Sequence, residues 1–123
     1  MQRHPALYFA DSPIAGRGIF CADTIESGEL LEICPVIVLS SSDRMSIHST
    51  RLHDFYFSWD ANEQKAAIAL GFGSLFNHSA NPNVGYDMDF DNQLIHFYSL
   101  RLIEAGEELL IDYMQGEREG LWF

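Results

Sequence analysis

The most informative part of this chain is the stretch Gly71-Phe72-Gly73-Ser74-Leu75-Phe76-Asn77-His78-Ser79-Ala80-Asn81-Pro82-Asn83. It lies between two apolar runs that are typical of strands. Asparagine supplies two donors and an acceptor, and histidine can supply one of each. Asn77 and His78 could therefore hold a ligand that carries an ammonium and a carboxylate. A turn in which Asn77 and Asn83 satisfy the local backbone is about equally compatible with these residues alone.

Two further motifs flank this stretch in the sequence. In Gly16-Arg17-Gly18-Ile19-Phe20, the two glycines permit close backbone approach and positive φ angles, which suits a loop around a small ligand. Taken alone, an ordinary tight turn is the simpler interpretation, and the third glycine of a dinucleotide fingerprint is missing. In Glu108–Tyr113, a tyrosine ends a predicted strand and could direct its hydroxyl into a pocket. Taken alone, a core tyrosine with a satisfied hydroxyl is the simpler interpretation.

Length and composition predict one domain over residues 1–123. The chain has 123 residues, of which 47% are hydrophobic, and this is enough for one core without metal or disulfide cross-links. Cys21 and Cys34 are the only cysteines, and we expect two free, buried thiols. The sequence shows no signal core and no run long enough to span a membrane, so we expect an intracellular protein, cytoplasmic in a bacterium or nuclear in a eukaryote.

The charge balance bears on the class of partner. Seven basic residues stand against 18 acidic ones, for a net charge of −11. Nucleic acid is not expected as a direct partner, because phosphate binding needs a basic surface. A negative surface attracts basic partners, although solubility alone would also explain it.

Short apolar or alternating runs separated by turn residues predict a mostly β domain. Pro35 is expected to separate two strands, because proline cannot donate to a ladder. Serines 40–42 and Asp43 offer N-caps for a short helix or irregular insert at about 41–65. The remaining predicted strands are Leu7–Phe9, Gly18–Ala22, Leu30–Cys34, Val36–Leu39, Phe55–Trp59, Ala66–Leu70, Val84–Tyr86, Leu94–Leu100 and Leu109–Tyr113.

In order and spacing, the three motifs together resemble the SET domain of protein lysine methyltransferases. The glycine motif is similar to the family's N-terminal cofactor motif. Asn77-His78-Ser79-x-x-Pro82-Asn83 is similar to the family's most specific motif, and Arg101-x-Ile103-x-x-Gly106-Glu107-Glu108-Leu109-x-x-x-Tyr113 to its C-terminal motif. The resemblance implies several small β-sheets around a C-terminal pseudoknot, which would bring Asn77, His78 and Tyr113 together.

The resemblance also implies a reaction, the transfer of methyl groups from S-adenosylmethionine to the lysine ε-amine of a basic protein. A histone-like or ribosomal protein would suit this role. Tyr113 would be the catalytic residue, at the junction of the cofactor site and a narrow lysine channel. The implied cofactor-binding residues are Arg17, Gly18, Ile19, Asn77, His78, Tyr113 and Trp122. The candidate channel residues are Tyr56, Phe57, Tyr86 and Ile111, with Trp59 as a further wall; a plain core role is at least as plausible for the aromatic ones.

Three further expectations concern details of the site. Ile111 stands where family members often carry an aromatic residue, and we expect the site to add more than one methyl group. The zinc module that follows many SET domains is not found in this sequence, so the tail within 114–123 could supply an aromatic lid, or a homodimer could complete the site. Simple docking of the tail on the core is about as compatible with its residues as a lid. We expect no metal site, since Asp87-x-Asp89-x-Asp91 lacks the glycine and glutamate of a calcium loop.

Two interpretations from other classes remain open at this point. One is a non-catalytic SET-like module that binds basic peptides. The other is an acidic β-rich interaction protein in which the motifs are coincidental. The acidic interaction protein would not bind S-adenosylmethionine, whereas the enzyme and the non-catalytic module would. Methyl transfer to basic proteins would distinguish the enzyme from the non-catalytic module.

Overall fold

The computed structural model describes residues 2–60 and 62–115, and they form two β-sheets with little helix. The first sheet contains β1 (Leu7–Asp11), β2 (Arg17–Cys21), β6 (Asn77–His78) and β9 (Glu108–Ile111). The second contains β3 (Leu30–Leu39), β4 (Tyr56–Trp59), β5 (Lys65–Ala69), β7 (Val84–Asp89) and β8 (Leu94–Ser99). The mostly β fold class is therefore confirmed.

The four-stranded sheet has the order β1-β2-β9-β6. Strand β9 comes from the C-terminal part of the chain, yet it lies inside this sheet, antiparallel to β2 and parallel to β6. The five-stranded sheet has the order β4-β5-β3-β8-β7 and is antiparallel throughout. The position of β9 between strands that are distant in sequence brings the N-terminal, central and C-terminal motifs to one place.

Pro35 does not divide β3 into two strands, and this prediction was wrong. The strand pairs with β8 as far as Pro35 and with β5 from Val36 onward. The carbonyl of Pro35 accepts from the N–H of Leu70, one residue beyond β5, at 3.0 Å. The missing proline N–H therefore lies where the β5 ladder begins, and it removes only the reciprocal bond to Leu70 at the end of that ladder.

The serine-rich caps produce the expected short helix, α1 (Ser41–His48). The hydroxyl of Ser40 accepts from the N–H of Asp43 at 3.1 Å, as an N-cap does. A 3₁₀ helix at Arg51–Asp54 follows, and none of the residues in these two helices is buried. A second 3₁₀ helix at Gly73–Leu75 leads into β6. No helix within residues 2–60 and 62–115 is long and apolar enough to cross a membrane.

The core lies between the two sheets. Its largest fully buried side chains include Phe76, Phe97, Ile19, Leu109 and Ile111. Phe76 directly precedes Asn77, and its ring packs against Phe97 with centroids 4.8 Å apart. Cys21 and Cys34 are both free and buried, as predicted. The motif residues are thus anchored to the core at their immediate neighbours.

Candidate active site

The parallel pairing of β6 with β9 places the central and C-terminal motifs side by side. Asn77 pairs with Leu110 and His78 with Ile111. The N–H of Ser79 donates to the carbonyl of Ile111 at 2.9 Å and extends the pairing by one residue. Tyr113 follows β9 by two residues, in a turn rather than at the end of the predicted strand. This pairing brings Tyr113 next to His78.

The side-chain amide of Asn77 is held in one orientation. Its Nδ2 donates to the carbonyl of Ala15 at 3.0 Å, to the carbonyl of Arg17 at 3.4 Å and to Oε2 of Glu108 at 2.8 Å. Because all three partners are acceptors, the amide nitrogen faces them and the carbonyl oxygen Oδ1 faces away. Within residues 2–60 and 62–115, no group donates to that oxygen. Asn77 thus presents an acceptor to the cleft that it lines.

The two glycines of the N-terminal motif are required for different physical reasons. Gly16 has a φ of +48°, a backbone conformation that favours glycine. Gly18 is needed for space, because a Cβ there would overlap Oε2 of Glu108 and lie 2.9 Å from Nδ2 of Asn77. The close approach that the glycines predicted is therefore an approach to Asn77 and Glu108.

Glu108 is a site residue that sequence reasoning missed as an individual side chain. Its Oε1 accepts from the hydroxyl of Ser12 at 2.7 Å, while its Oε2 accepts from Asn77. The neighbouring Glu107 instead accepts from the N–H of Glu104 at 2.6 Å and pairs with Arg101 at the surface. Side chains alternate between the two faces of a strand, so the sequence could have shown which of the two glutamates faces the site only if the first residue of β9 had been known.

Asn83 supports the site without facing a ligand. Its Nδ2 donates to the carbonyl of Glu108 at 2.9 Å, and its Oδ1 accepts from the N–H of Leu110 at 2.7 Å. The residue is only 2% exposed. Asn83 therefore satisfies backbone groups of β9 rather than of its own turn, whereas Asn77 lines a cleft.

His78 is oriented by the backbone of Tyr113. Its Nδ1 accepts from the N–H of Tyr113 at 2.9 Å, so the neutral ring carries its proton on Nε2 and can donate from there. Oδ1 of Asp112 lies 3.8 Å from the same Nδ1. The rings of His78 and Tyr113 pack with centroids 4.9 Å apart.

The hydroxyl of Tyr113 is fixed and stays protonated at neutral pH. It donates to the carbonyl of Phe76 at 3.0 Å, which leaves its oxygen lone pairs as acceptors. Burial raises the pKa of the Tyr113 phenol, and the nearby charges of Asp54 and Glu108 raise it further. The phenol is thus a positioned neutral group rather than a base.

Two clefts meet at Tyr113. The first, which we name the Asn77 cleft, has a volume of about 450 Å³ and is lined by Ile14, Ala15, Gly16, Arg17, Asp54, Phe55, Ser74, Leu75, Asn77, His78 and Tyr113. The second, the Tyr56 cleft, has a volume of about 200 Å³ and is lined by Arg44, His53, Asp54, Phe55, Tyr56, Phe57, Ser58, Gly73, Ser74, Phe76, Ile111 and Tyr113. Asp54, Phe55, Ser74 and Tyr113 line both, so the clefts are adjacent and share a wall.

The structure brings most of the predicted cofactor residues to the Asn77 cleft. Arg17, Asn77, His78 and Tyr113 line it, and Gly18 lies directly behind Asn77. Ile19 is fully buried in the core and its side chain does not line the cleft, so its predicted cofactor contact could be made only through its backbone and stays a prediction. The physical reason is strand alternation, since Ile19 faces inward where it pairs with Leu109. Trp122 and the predicted lid beyond residue 115 lie outside the described residues.

Three of the four predicted channel residues line the Tyr56 cleft, namely Tyr56, Phe57 and Ile111. Tyr86 does not. It is 4% exposed and packs behind Phe57, with ring centroids 5.3 Å apart. Its hydroxyl donates to the carbonyl of Asp112 at 3.2 Å, so it acts as a core tyrosine with a satisfied hydroxyl. Trp59 is likewise buried and packs against Phe90.

Comparison with known proteins agrees with this geometry. The SET domain family model matches residues 16–114. The chain is 36% identical over 118 residues to a Schizosaccharomyces pombe protein named histone-lysine N-methyltransferase, H3 lysine-37 specific, covering 95% of this chain and 76% of the relative.

Solved structures show the same fold. A Plasmodium falciparum protein named as a candidate histone methyltransferase matches with a TM-score of 0.69 and 26% identity, over 92% of this chain and 95% of that one. A chain of the Chaetomium thermophilum Polycomb Repressive Complex 2 matches with a TM-score of 0.74 and 20% identity, over 92% of this chain and 16% of that one. The motifs, the paired clefts and these matches agree, and the chain belongs to the SET domain family of protein-lysine N-methyltransferases.

Proposed function

We propose that this protein transfers methyl groups from S-adenosylmethionine to the ε-amine of a lysine in a basic protein. The observation that carries the proposal is the position of Tyr113, which lines both clefts at their shared wall. One cleft offers polar groups and the other offers an aromatic wall. A donor and an acceptor that enter from the two sides would meet beside the Tyr113 hydroxyl.

The residues of the Asn77 cleft fit the amino-acid end of such a cofactor. The free Oδ1 of Asn77 suits an ammonium, and the guanidinium of Arg17 suits a carboxylate. Arg17 has no carboxylate partner within the part of the chain that the structure describes. The Nε2 proton of His78 adds a donor to the same cleft. When bound, the cofactor supplies a methyl group on a sulfonium, and the residues named here would orient it toward Tyr113.

The Tyr56 cleft fits a lysine side chain. Tyr56, Phe57 and Ile111 give it apolar contacts for the methylene stem, and burial of the amine lowers its pKa because burial disfavours the charged form. The charge of Arg44 in the same cleft acts in the same direction, and that of Asp54 acts against it. A neutral amine has the lone pair that attack requires. The Tyr113 oxygen can accept from the amine N–H, which aligns that lone pair, and alignment of two reactants supplies much of the rate of such a displacement.

The charge of the chain supports a basic substrate. The net charge of −11 attracts lysine-rich proteins and speeds their encounter. The name of the Schizosaccharomyces pombe relative supports a histone-like substrate in particular. A homodimer and an intracellular location stay predictions, which light scattering and fractionation test.

The test combines binding, transfer and product analysis on the full chain. Calorimetry with S-adenosylmethionine should show saturable binding, and tritiated methyl transfer should label a basic protein in a histone and ribosomal-protein panel. Binding without transfer to that panel or to whole-cell lysate would support the non-catalytic alternative. Absence of binding would refute the proposal.

The same products test the number of methyl groups added. Ile111 lines the Tyr56 cleft and offers no hydroxyl to hold a water beside the amine. Mass spectrometry at exhaustive turnover should therefore show dimethyl-lysine or trimethyl-lysine. Monomethyl-lysine alone would contradict this expectation.

A further inference from the structure

A third cleft, which we name the α1 groove, continues the Tyr56 cleft along the surface. It has a volume of about 630 Å³ and is lined by Ser41, Arg44, Met45, His48, Tyr56, Ser58 and Gln64. Arg44, Tyr56 and Ser58 line the Tyr56 cleft as well. Chain that flanks a lysine in the Tyr56 cleft would therefore run into the α1 groove.

The α1 groove differs in charge from the rest of this acidic protein. The chain has 18 acidic residues, yet no aspartate or glutamate is among the described residues that line the groove. Its permanent charge is the cation of Arg44, and His48 is a second group that can become positive. A lysine-rich flank would meet no counter-charge here.

Arg44 is held in place but has no counterion. Its Nη1 donates to the carbonyl of Lys65 at 3.1 Å and its Nη2 to the hydroxyl of Ser58 at 3.2 Å. Its guanidinium lies 5.2 Å from the ring centroid of Tyr56. Over residues 2–60 and 62–115, no carboxylate lies within ion-pair distance of Arg44. A guanidinium has five N–H donors, so several stay available in a fixed orientation.

Among the described lysines and arginines, three are paired with carboxylates. Of the three that are not, Arg17, Arg44 and Arg51, only Arg44 is half-buried. Arg3 pairs with Glu32 at 2.6 Å, Lys65 with Glu63 at 2.7 Å and Arg101 with Glu107 at 3.3 Å. Arg44 is half-buried, so leaving it without an anion costs more than leaving a fully exposed cation unpaired. A preorganised guanidinium of this kind is suited to a carboxylate.

From these observations we infer that Arg44 binds the carboxylate of an aspartate or glutamate that flanks the target lysine in the substrate. The inference rests on the proposed function and adds a sequence preference to it. Arg44 lines the Tyr56 cleft itself, so at about 3.3 Å per residue of extended chain the acidic residue lies within about three residues of the lysine. The overall acidity of the chain attracts a basic protein from a distance, and Arg44 selects the site within it.

The first test is an oriented peptide library with one fixed lysine and with Asp, Glu, Asn, Gln, Lys or Arg at each of the three flanking positions on either side. Wild-type protein should prefer Asp or Glu at one position. Replacing that residue by its amide in a single peptide should raise the KM for peptide about tenfold, with little change in kcat, since a charge-assisted hydrogen bond is lost. Equal KM values for the acid and amide peptides would overturn the inference.

The second test is a charge swap with a matched control. Arg44→Glu should reverse the preference toward Lys or Arg at the same position, and Arg44→Lys should retain part of the original preference. Arg51→Glu makes the same charge change at an exposed arginine that lines none of the three clefts, and it should leave the preference unchanged. Thermal melting shows which variants fold, and if Arg44→Glu does not fold, the wild-type peptide pair decides.

The outcomes separate this inference from the proposed function. Methylation of lysine peptides without any acidic preference overturns the role of Arg44 and leaves the proposed function standing. Absence of methylation on every peptide and protein counts against the proposed function. In that case the affinities of the acid and amide peptides, measured by fluorescence anisotropy, still decide whether Arg44 binds a carboxylate.

Discussion

The Asn77 cleft and the Tyr56 cleft share Tyr113 but are built in different ways. The Asn77 cleft is built on β2, β6 and β9, which are neighbours in one sheet. Side-chain hydrogen bonds join distant parts of the chain around this cleft, and the bond between Ser12 and Glu108 spans 96 residues. The Tyr56 cleft takes Arg44, His53 and Asp54 from α1 and the 3₁₀ helix at Arg51–Asp54, two helices in which no residue is buried, and three further lining residues from β4. The strands of the first cleft are fixed by the fold, whereas the helices of the second can vary without disturbing those strands, with Asp54 as the helical residue that lines both clefts. A binding site for one invariant cofactor beside a site for a variable substrate would use this division.

The largest effect is expected at the shared wall. Tyr113→Phe removes the hydroxyl that donates to Phe76 and leaves the ring against His78. We expect kcat to fall about 100-fold or more, because an oriented polar group at the reacting atoms is lost, while affinity for S-adenosylmethionine changes little. Steady-state kinetics and calorimetry measure the two quantities. Full activity in this variant would refute the role of Tyr113.

A second prediction concerns the buried thiol of Cys34 in the core. Burial raises the pKa of the Cys34 thiol from 9.0 to about 12, and the charge of Glu32 contributes. The unfolded chain therefore releases this proton at lower pH than the folded chain does. The stabilisation is complete below about pH 9, and between about pH 9 and 12 the free energy of unfolding should fall by about 1.4 kcal/mol per pH unit from this group.

Urea denaturation at several pH values measures this slope, and Cys34→Ala serves as the control. The variant should have a lower free energy of unfolding at neutral pH, and that free energy should fall less steeply between about pH 9 and 12 than in the wild-type protein. The Cys34 thiol should also resist alkylation at pH 8 in the folded protein. An unchanged slope in the variant would show that other groups account for alkaline unfolding.

The third prediction uses two adjacent glutamates as a matched pair. Glu108→Gln removes the charge that holds the Asn77 amide, whereas Glu107→Gln weakens a surface pair with Arg101 and a hydrogen bond from the N–H of Glu104, neither of which involves Asn77. We expect Glu108→Gln to raise the KM for S-adenosylmethionine about tenfold and Glu107→Gln to leave it unchanged. Equal effects of the two variants would mean that Glu108 does not orient Asn77.

The smallest effect should be confined to the insert. Ser40→Ala removes the N-cap of α1 and should destabilise that helix locally by about 1 kcal/mol. Hydrogen exchange should become faster in α1 and stay unchanged in β6 and β9, and cofactor affinity should not change. Faster exchange throughout both sheets would contradict the independence of the two clefts.

The sequence could predict those parts of the site that depend on a local pattern of residues, but not those that depend on where a strand begins or pairs. Asn77, His78 and Tyr113 could be predicted because their order and spacing form a specific motif, and the helix after Ser40 because its cap is local. Glu108 could not be told from Glu107, because their difference depends on where β9 begins. Pro35 led to a wrong break because it stands at the first position of the β5 ladder, where its missing donor removes only one terminal hydrogen bond. Ile19 lies within a cofactor motif, yet its side chain faces the core, since strand alternation decides the direction of each side chain.

The position of β9 inside the four-stranded sheet also has a consequence for how the protein matures. Strand β2 is synthesised early, but its partner β9 begins only at Glu108. A chain emerging from the ribosome therefore exposes an unpaired edge of β2 and has no Asn77 cleft until β9 has been synthesised. Pairings between such distant segments form slowly, and exposed edges invite association with other chains. Chaperone dependence during synthesis, and rescue of a chain truncated before β9 by a separate β9 peptide, are the behaviours to look for in cells.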